Sequence, residues 1–475
     1  MPEHILFLTG KLAEKSLNRV LQSMQPVGFT YEVLNIGVSV AALITAEMIG
    51  RRLDNARNAS RILVPGLCAG DLEVPAKKLG VPVARGPEDL KDLPEFFGRG
   101  GQPPDLSRYD VQIYAEIVNA PYSTIEAILH RAEDYRRDGA DVIDLGCLPG
   151  TPFPHLEKAV MALKDRGFQV SVDSHDTEDL LRGGRAGADY LLSLKESTLW
   201  IADEVASVPI LIPEQAGDMD SLCRAMDALC TRGRRFIADS ILDPIHFGFM
   251  ESIVRYHELR HRYPDAEIMM GTGNLTELTD ADTAGMNTLM LGMMSELHIT
   301  HLLTTEVSLH ARSAVREADL ARRIMYLARE ENRLPRGYDE SLIALHERRP
   351  FPYTSKEIAE TAAQIRDPSY RIQVSETGIH VYNRDGMLTG TDPFDLFPKL
   401  TLLEKDAPHA FYMGVELGRA QIAWQLGKRF LQDEGLKWGC AYRDSGVPET
   451  GKLHAYKGEG STLAAKKKRK HREEP

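Results

Sequence analysis

Cysteine is scarce in this chain and shows no pairing pattern. Its 475 residues include five cysteines (Cys68, Cys147, Cys223, Cys230, Cys440), an odd number with no CxxC pair. A disulfide framework is therefore not expected, and a reducing compartment is. Long apolar runs are lacking as well. None reaches the roughly 18 residues of a membrane helix, and the chain opens on a strand-like run, His4–Leu8, rather than on a signal-peptide pattern. We expect a cytoplasmic protein. Positive charge is not in excess: the formal net charge is −12, which argues against a general nucleic-acid binder. Solenoid-type repeats are absent. His298 and His301 lie close in sequence, but no cysteine or carboxylate stands at a zinc-ligand spacing from them.

What is present is a large, ordinary globular composition. Hydrophobic residues make up 43% of the chain and charged residues 27%, enough for two or three domains with sizeable cores. From Gln112 to about Glu330, strand-like runs alternate with amphipathic helices eight times. Most of these strands end on a polar residue. Val111–Val118 ends at Asn119, Val142–Ile143 at Asp144, Gln169–Val172 at Asp173 and Tyr190–Leu192 at Ser193. Pro209–Ile212 leads to Glu214, and Phe236–Ala238 to Asp239 and Asp243. Glu267–Met270 leads to Gly271-Thr272-Gly273-Asn274, and Ile299–Leu303 to Thr304, Thr305 and Glu306. Eight βα units in a row predict a closed parallel barrel, a fold that places its chemistry at the carboxyl ends of its strands.

The fold class expected is α/β: a central (β/α)8 TIM barrel over 106–334, an N-terminal open-sheet (Rossmann-like) domain over 1–100, and a C-terminal α+β domain over 350–460. In the first, His4–Leu8, Tyr31–Leu34 and Arg61–Val64 read as strands and Leu12–Met24 and Ala41–Leu53 as helices, with Val81–Val83 a short fourth strand. Gly98–Asp105 reads as a linker. Barrel helices are expected at Thr124–Asp138 and Ser252–Tyr263, with Gly139 and Gly187 as helix stops. In the third domain, Tyr370–Val374 and Ile379–Tyr382 form a hairpin and Phe411–Glu434 a long helix. The tail 461–475, with the basic run Lys466–Arg472, reads as disordered and solubilising, with RNA or membrane contact as the alternative.

Four short motifs in barrel order resemble the pterin-binding barrel family, which includes dihydropteroate synthases and pterin-dependent corrinoid methyltransferases. Asp138-Gly139-Ala140-Asp141-Val142-Ile143-Asp144-Leu145-Gly146 is similar to the strand-two "GA-x-IID-G". Ser171-Val172-Asp173-Ser174 is similar to the strand-three "SVDT", and Asp243-Pro244-Ile245-His246-Phe247-Gly248-Phe249 to "DPGIGF". Gly271-Thr272-Gly273-Asn274 stands where the synthases read "GTSRK" and the methyltransferases "G-x-SN". The flanking domains resemble a dihydropteroate synthase-related family associated with tetrahydromethanopterin biosynthesis. The resemblance implies a reduced pterin as substrate or cofactor, held by Asp144, Asp173, Ser193, Asp243 and Asn274. It also implies Asn119 for a diphosphate or metal. A carboxylate can accept two hydrogen bonds from the amino-pyrimidine edge of a pterin, which suits Asp173 and Asp243. An amide at Asn274 can both donate and accept. Each of these residues also has a plainer role open to it, as a helix cap or turn former at the barrel rim.

The departures bear on the reaction. Where synthases carry a lysine this chain has Leu275, and the strand-eight "R-x-H" is replaced by Thr304-Thr305-Glu306. A diphosphate leaving group needs positive charge, so Mg2+ is a candidate cofactor and Lys195 or Lys11 a candidate cation. Three functions compete. The first is condensation of a dihydropterin methyl diphosphate with an arylamine in folate or tetrahydromethanopterin biosynthesis. The second is methyl transfer from a reduced pterin to a corrinoid protein. The third is a pterin-binding scaffold without catalysis. No membrane partner is expected, and a homodimer is among the expected assemblies.

Overall fold

The structure is a computed structural model that describes residues 3–87, 89–98, 104–401 and 406–442. Part of the Gly98–Asp105 linker and the whole basic run Lys466–Arg472 lie outside the described residues. Among the described residues no helix is long and apolar enough to cross a membrane, and all five cysteines are free.

Four strands open the chain: β1 (His4–Thr9), β2 (Thr30–Asn35), β3 (Arg61–Val64) and β4 (Val83–Arg85). They form a parallel sheet in the order β2-β1-β3-β4. The expected helix over Ala41–Leu53 splits into a single 3-10 turn, Ala41–Leu43, and a helix, Ala46–Arg52, which Thr45 caps by accepting from the Met48 N–H.

The barrel follows. Its strands are β5 (Gln112–Ile117), β6 (Val142–Gly146), β7 (Gln169–Asp173), β8 (Tyr190–Leu194), β9 (Val208–Leu211), β10 (Ile237–Ala238), β11 (Met269–Gly271) and β12 (His301–Thr305). Neighbours are parallel throughout, in the order β10-β9-β8-β7-β6-β5-β12-β11. A single parallel bridge, Ala238 to Ile268, closes the ring. Strand alternation fixes the two faces. On β5, Ile113, Ala115 and Ile117 face outward into the helix-covered core. Tyr114 faces inward with Val142, Tyr190, Leu192, Ile210, Ile237 and Met269, which fill the barrel floor. Gly139 ends the helix Ile125–Asp138 at φ 106°, the left-handed conformation that glycine adopts without strain.

After the barrel, β13 (Arg371–Ser375), β14 (Gly378–Asn383) and β15 (Gly386–Gly390) form an antiparallel meander. The first two are the expected hairpin; the third strand is an addition. The long helix runs over Ala407–Leu426 and stops at Gly427, in the left-handed conformation at φ 63°. It therefore ends before Glu434. The chain divides into two compact units. One combines the residues up to Pro104 with Leu345–Leu436, and the other is Asp105–Ala344 with the described part of Lys437–Ser445.

Candidate functional site

Three acids face inward above the barrel floor. Glu116 on β5 stands directly across the ladder from Asp144 on β6. Asp144 in turn faces Ser171 on β7, and Gly146 faces Asp173. One carboxylate oxygen from each of Glu116, Asp144 and Asp173 lies within 4.8 Å of the others. Asp144 is fully buried, and neither of its oxygens has a hydrogen-bond partner among the described residues. Glu116 and Asp173 are half-buried at the open side.

Ser193 completes this group. Its hydroxyl donates to Asp173 Oδ1 at 2.6 Å. The β8–β9 register shifts between Leu191 and Leu194, and within that irregularity Ser193 adopts φ 75°. A non-glycine residue in the left-handed region costs about 1–2 kcal/mol, and here the turn points the hydroxyl at the carboxylate.

Crowding like charges into a dry site raises their affinity for protons. Burial, reinforced by the Asp173 charge, pushes the Glu116 carboxyl up to about 8. Asp144 is pushed well above the carboxylate range by burial and by the charges of Asp173 and Glu116, and the nearby Ser171 hydroxyl opposes the shift. Burial also raises Asp173, against the Ser193 hydrogen bond and His175. Each charge raises the proton affinity of the others, so the members of the trio titrate together rather than singly. The Cys147 thiol, just past β6, is raised by burial and by the carboxylates of Asp179, Asp144 and Asp173, which makes it a poor nucleophile.

A second group sits at the ends of β10 and β11. Asp239 is buried and accepts from the Tyr256 hydroxyl at 2.5 Å and the Ile241 N–H at 2.8 Å; burial still holds its carboxyl up to about 6. Asp243 accepts from the Arg255 guanidinium at 2.6 Å, and the same nitrogen reaches the Ile241 carbonyl at 3.0 Å. Ile241 has φ 64°, a strained value for a β-branched residue. Asn274 lies in a short helix, Gly273–Thr276, and its amide donates to the Leu242 carbonyl at 2.8 Å. Asp239 links the two groups electrostatically, because it feels both the Asp173 charge and Arg255.

The structure thus brings Asp144, Asp173 and Ser193 together, with Asp243 on the loop after β10 and Asn274 in the short helix after β11. Asn119 is exposed and Lys195 half-buried, and the side chain of neither has a hydrogen bond or ion pair among the described residues. Leu275 is buried. At the end of β12, Thr305 donates to Glu277, and Glu306 holds Arg131 at 3.1 Å. Glu116 escapes a reading that looks only for polar residues after each strand. Its signal is the alternation Gln112, Tyr114, Glu116, which places a charge on the inner face within β5.

A cavity of about 440 Å3 lies in the other unit, at the carboxyl ends of β1 and β3, with Thr9, Leu12, Pro65, Tyr353 and Arg371 in its wall. Two of its charged groups are paired, Arg371 with Asp367 and Asp89 with Arg429.

Residues 3–88 match a family described as one of unknown function (DUF6513). An uncharacterized protein of Methanocaldococcus jannaschii is 25% identical over 528 aligned residues, covering 91% of this chain and 98% of that protein. Among solved structures, a dihydropteroate synthase of Yersinia pestis in complex with a sulfonamide drug is 16% identical, with a TM-score of 0.39, covering 48% of this chain and 96% of that one. A dihydropteroate synthase of Coxiella burnetii in complex with pteroic acid is 15% identical, with a TM-score of 0.39, covering 47% and 94%.

Proposed function

We propose that the barrel mouth binds a reduced pterin and that the chain is a dihydropteroate synthase-like transferase, condensing a dihydropterin methyl diphosphate with an arylamine in folate or tetrahydromethanopterin biosynthesis. The observation that carries this reading is the convergence of Asp144, Asp173 and Ser193 with Glu116 inside the barrel, at the carboxyl ends of its strands. The 2-amino group and adjacent ring N–H of a pterin form a planar donor pair that a single carboxylate can accept. Asp173, aligned by Ser193, suits that edge. A neighbouring acid that keeps its proton offers a donor to the ring carbonyl, so a site of shared protons suits a heterocycle with alternating donors and acceptors. Asp243, aligned by Arg255 after β10, and the Oδ1 of Asn274 after β11 are further polar groups that can contact the ring.

In the condensation the arylamine nitrogen forms a bond to the pterin methylene carbon, the carbon–oxygen bond to diphosphate breaks, and the amine loses a proton. The carboxylates at the mouth can take that proton, and holding both partners in line supplies much of the rate. A second reading, methyl transfer from a reduced pterin to a corrinoid protein, draws support from the pairing of two arginines with carboxylates that follow β12 and β10, although Lys195 after β8 has no such partner among the described residues. Arg131 is held by Glu306 and Arg255 by Asp243, and methyl transfer needs no diphosphate site. Incubation with a dihydropterin methyl diphosphate, 4-aminobenzoate and Mg2+, following diphosphate release, tests the first reading. Pterin binding without release, followed by methylation of an added corrinoid protein from a methyl-pterin, would select the second.

A further inference from the structure

The geometry points to a site for one hard divalent cation, of the Mg2+, Mn2+ or Ca2+ type, formed by Glu116, Asp144 and Asp173 inside the barrel. One oxygen from each lies within 4.8 Å of the others. Ligand oxygens on opposite sides of Ca2+, at about 2.4 Å each, stand about 4.8 Å apart, and around Mg2+ about 4.2 Å. The trio already has the span of a coordination sphere.

Clustering alone would not make a site, and a second observation points the same way. Asp144 is 0% exposed, and both its oxygens lack a partner among the described residues. Ser171, directly across the ladder from Asp144, is also 0% exposed with an unpartnered hydroxyl. Buried polar groups without partners are rare, and a buried carboxylate without one is costly. A cation bound among the three carboxylates gives Asp144 the partner it lacks. The donor set selects the ion: three carboxylates and a hydroxyl suit hard cations, with no imidazole or thiolate among the donors to favour zinc or copper. Asp144 forms the floor, and the half-buried Glu116 and Asp173 leave a path from the mouth.

Bound there, the ion places positive charge at a mouth whose neighbouring guanidinium groups are held by carboxylates. Its use toward a diphosphate rests on the condensation reading above, whereas its binding does not.

The test uses the full chain stripped with EDTA and titrated with Mn2+, reading free Mn2+ by its paramagnetic resonance signal and then adding Mg2+. No pterin is present, so the outcome is separate from the pterin reading. The expected result is one Mn2+ per chain that Mg2+ displaces, with Asp144→Asn and Glu116→Gln each weakening the affinity at least tenfold. The His257 and His261 rings, 4.2 Å apart on one helix, are a surface locus for Mn2+ that Mg2+ does not share, so only the Mg2+-displaceable fraction counts. Should Asp144→Asn fail to fold, Glu116→Gln, at a half-buried position, decides alone, with circular dichroism as its folding control. Absence of Mg2+-displaceable Mn2+, or wild-type affinity in the folded variants, overturns the site and leaves a proton-sharing cluster in its place.

Discussion

Gly146 leaves the space that the Glu116 carboxylate fills: a Cβ at residue 146 would stand 2.5 Å from Glu116 Oε1 and 3.2 Å from the Val118 Cα. A side chain there must push the carboxylate aside, while the outward face of the strand keeps its packing. Gly146→Ala is therefore expected to lower ligand affinity at the mouth by tenfold or more while costing only about 1 kcal/mol of stability. Pterin binding and urea denaturation of the same preparation check both halves.

Ser193 carries two opposing terms. Its left-handed backbone costs about 1–2 kcal/mol, and its 2.6 Å hydrogen bond to Asp173 contributes about 1.5–3 kcal/mol when the acceptor is ionised. Ser193→Ala keeps the strain and loses the bond, whereas Ser193→Gly loses both. The alanine variant is expected to be the less stable of the two, by about 1 kcal/mol in chemical denaturation. A glycine variant less stable than the alanine one would refute the assignment of strain to this position.

Asp173→Asn and Asp243→Asn are each expected to weaken pterin binding by more than tenfold, because each leaves ring donors without a full acceptor. Asp243 also anchors Arg255, so its variant is expected to lose about 1 kcal/mol of stability as well. Binding is therefore measured well below the unfolding temperature. Wild-type affinity in both variants would show that these carboxylates face something other than the pterin edge.

Glu306 supplies a pH signature. Burial, the largest cause, lifts its carboxyl from 4.5 to about 7, against the Val315 N–H and Arg131. A folded value above the unfolded one means that the native state binds more protons between the two. The stability associated with this group is fully present below about pH 4.5 and is lost as pH rises through about 7. Glu306→Gln, which does not titrate, is expected to remove up to about 3 kcal/mol of the difference in stability between pH 5 and pH 8. Urea midpoints at the two pH values, for both proteins, measure it.

Much of the architecture was legible because it rests on local periodicities. The barrel strands alternate, glycines such as Gly139 stop helices, and polar residues follow the strands; these features single out Asp144, Asp173 and Ser193, which the fold brings close together. Glu116 was not legible by that rule, because it lies within its strand rather than after it and acquires a role only when β6 and β7 close beside it. The pairing of Asp243 with Arg255 depends on how a strained loop at Ile241 meets the following helix, which spacing does not encode. β15 is short and bounded by Gly386 and Gly390, so it carries little strand signal of its own. The long C-terminal helix ends at Gly427 although apolar residues continue beyond it, because glycine accepts the left-handed conformation at little cost.

The central claim is that the inward acids at the barrel mouth grip a reduced pterin. Equilibrium binding of 7,8-dihydro-6-hydroxymethylpterin to the wild-type chain and to Asp173→Asn, by calorimetry under anaerobic conditions, tests it most directly. One site per chain in the wild type, weakened more than tenfold by the substitution, is the predicted result. No binding to the wild-type chain, or equal binding to both proteins, would contradict it.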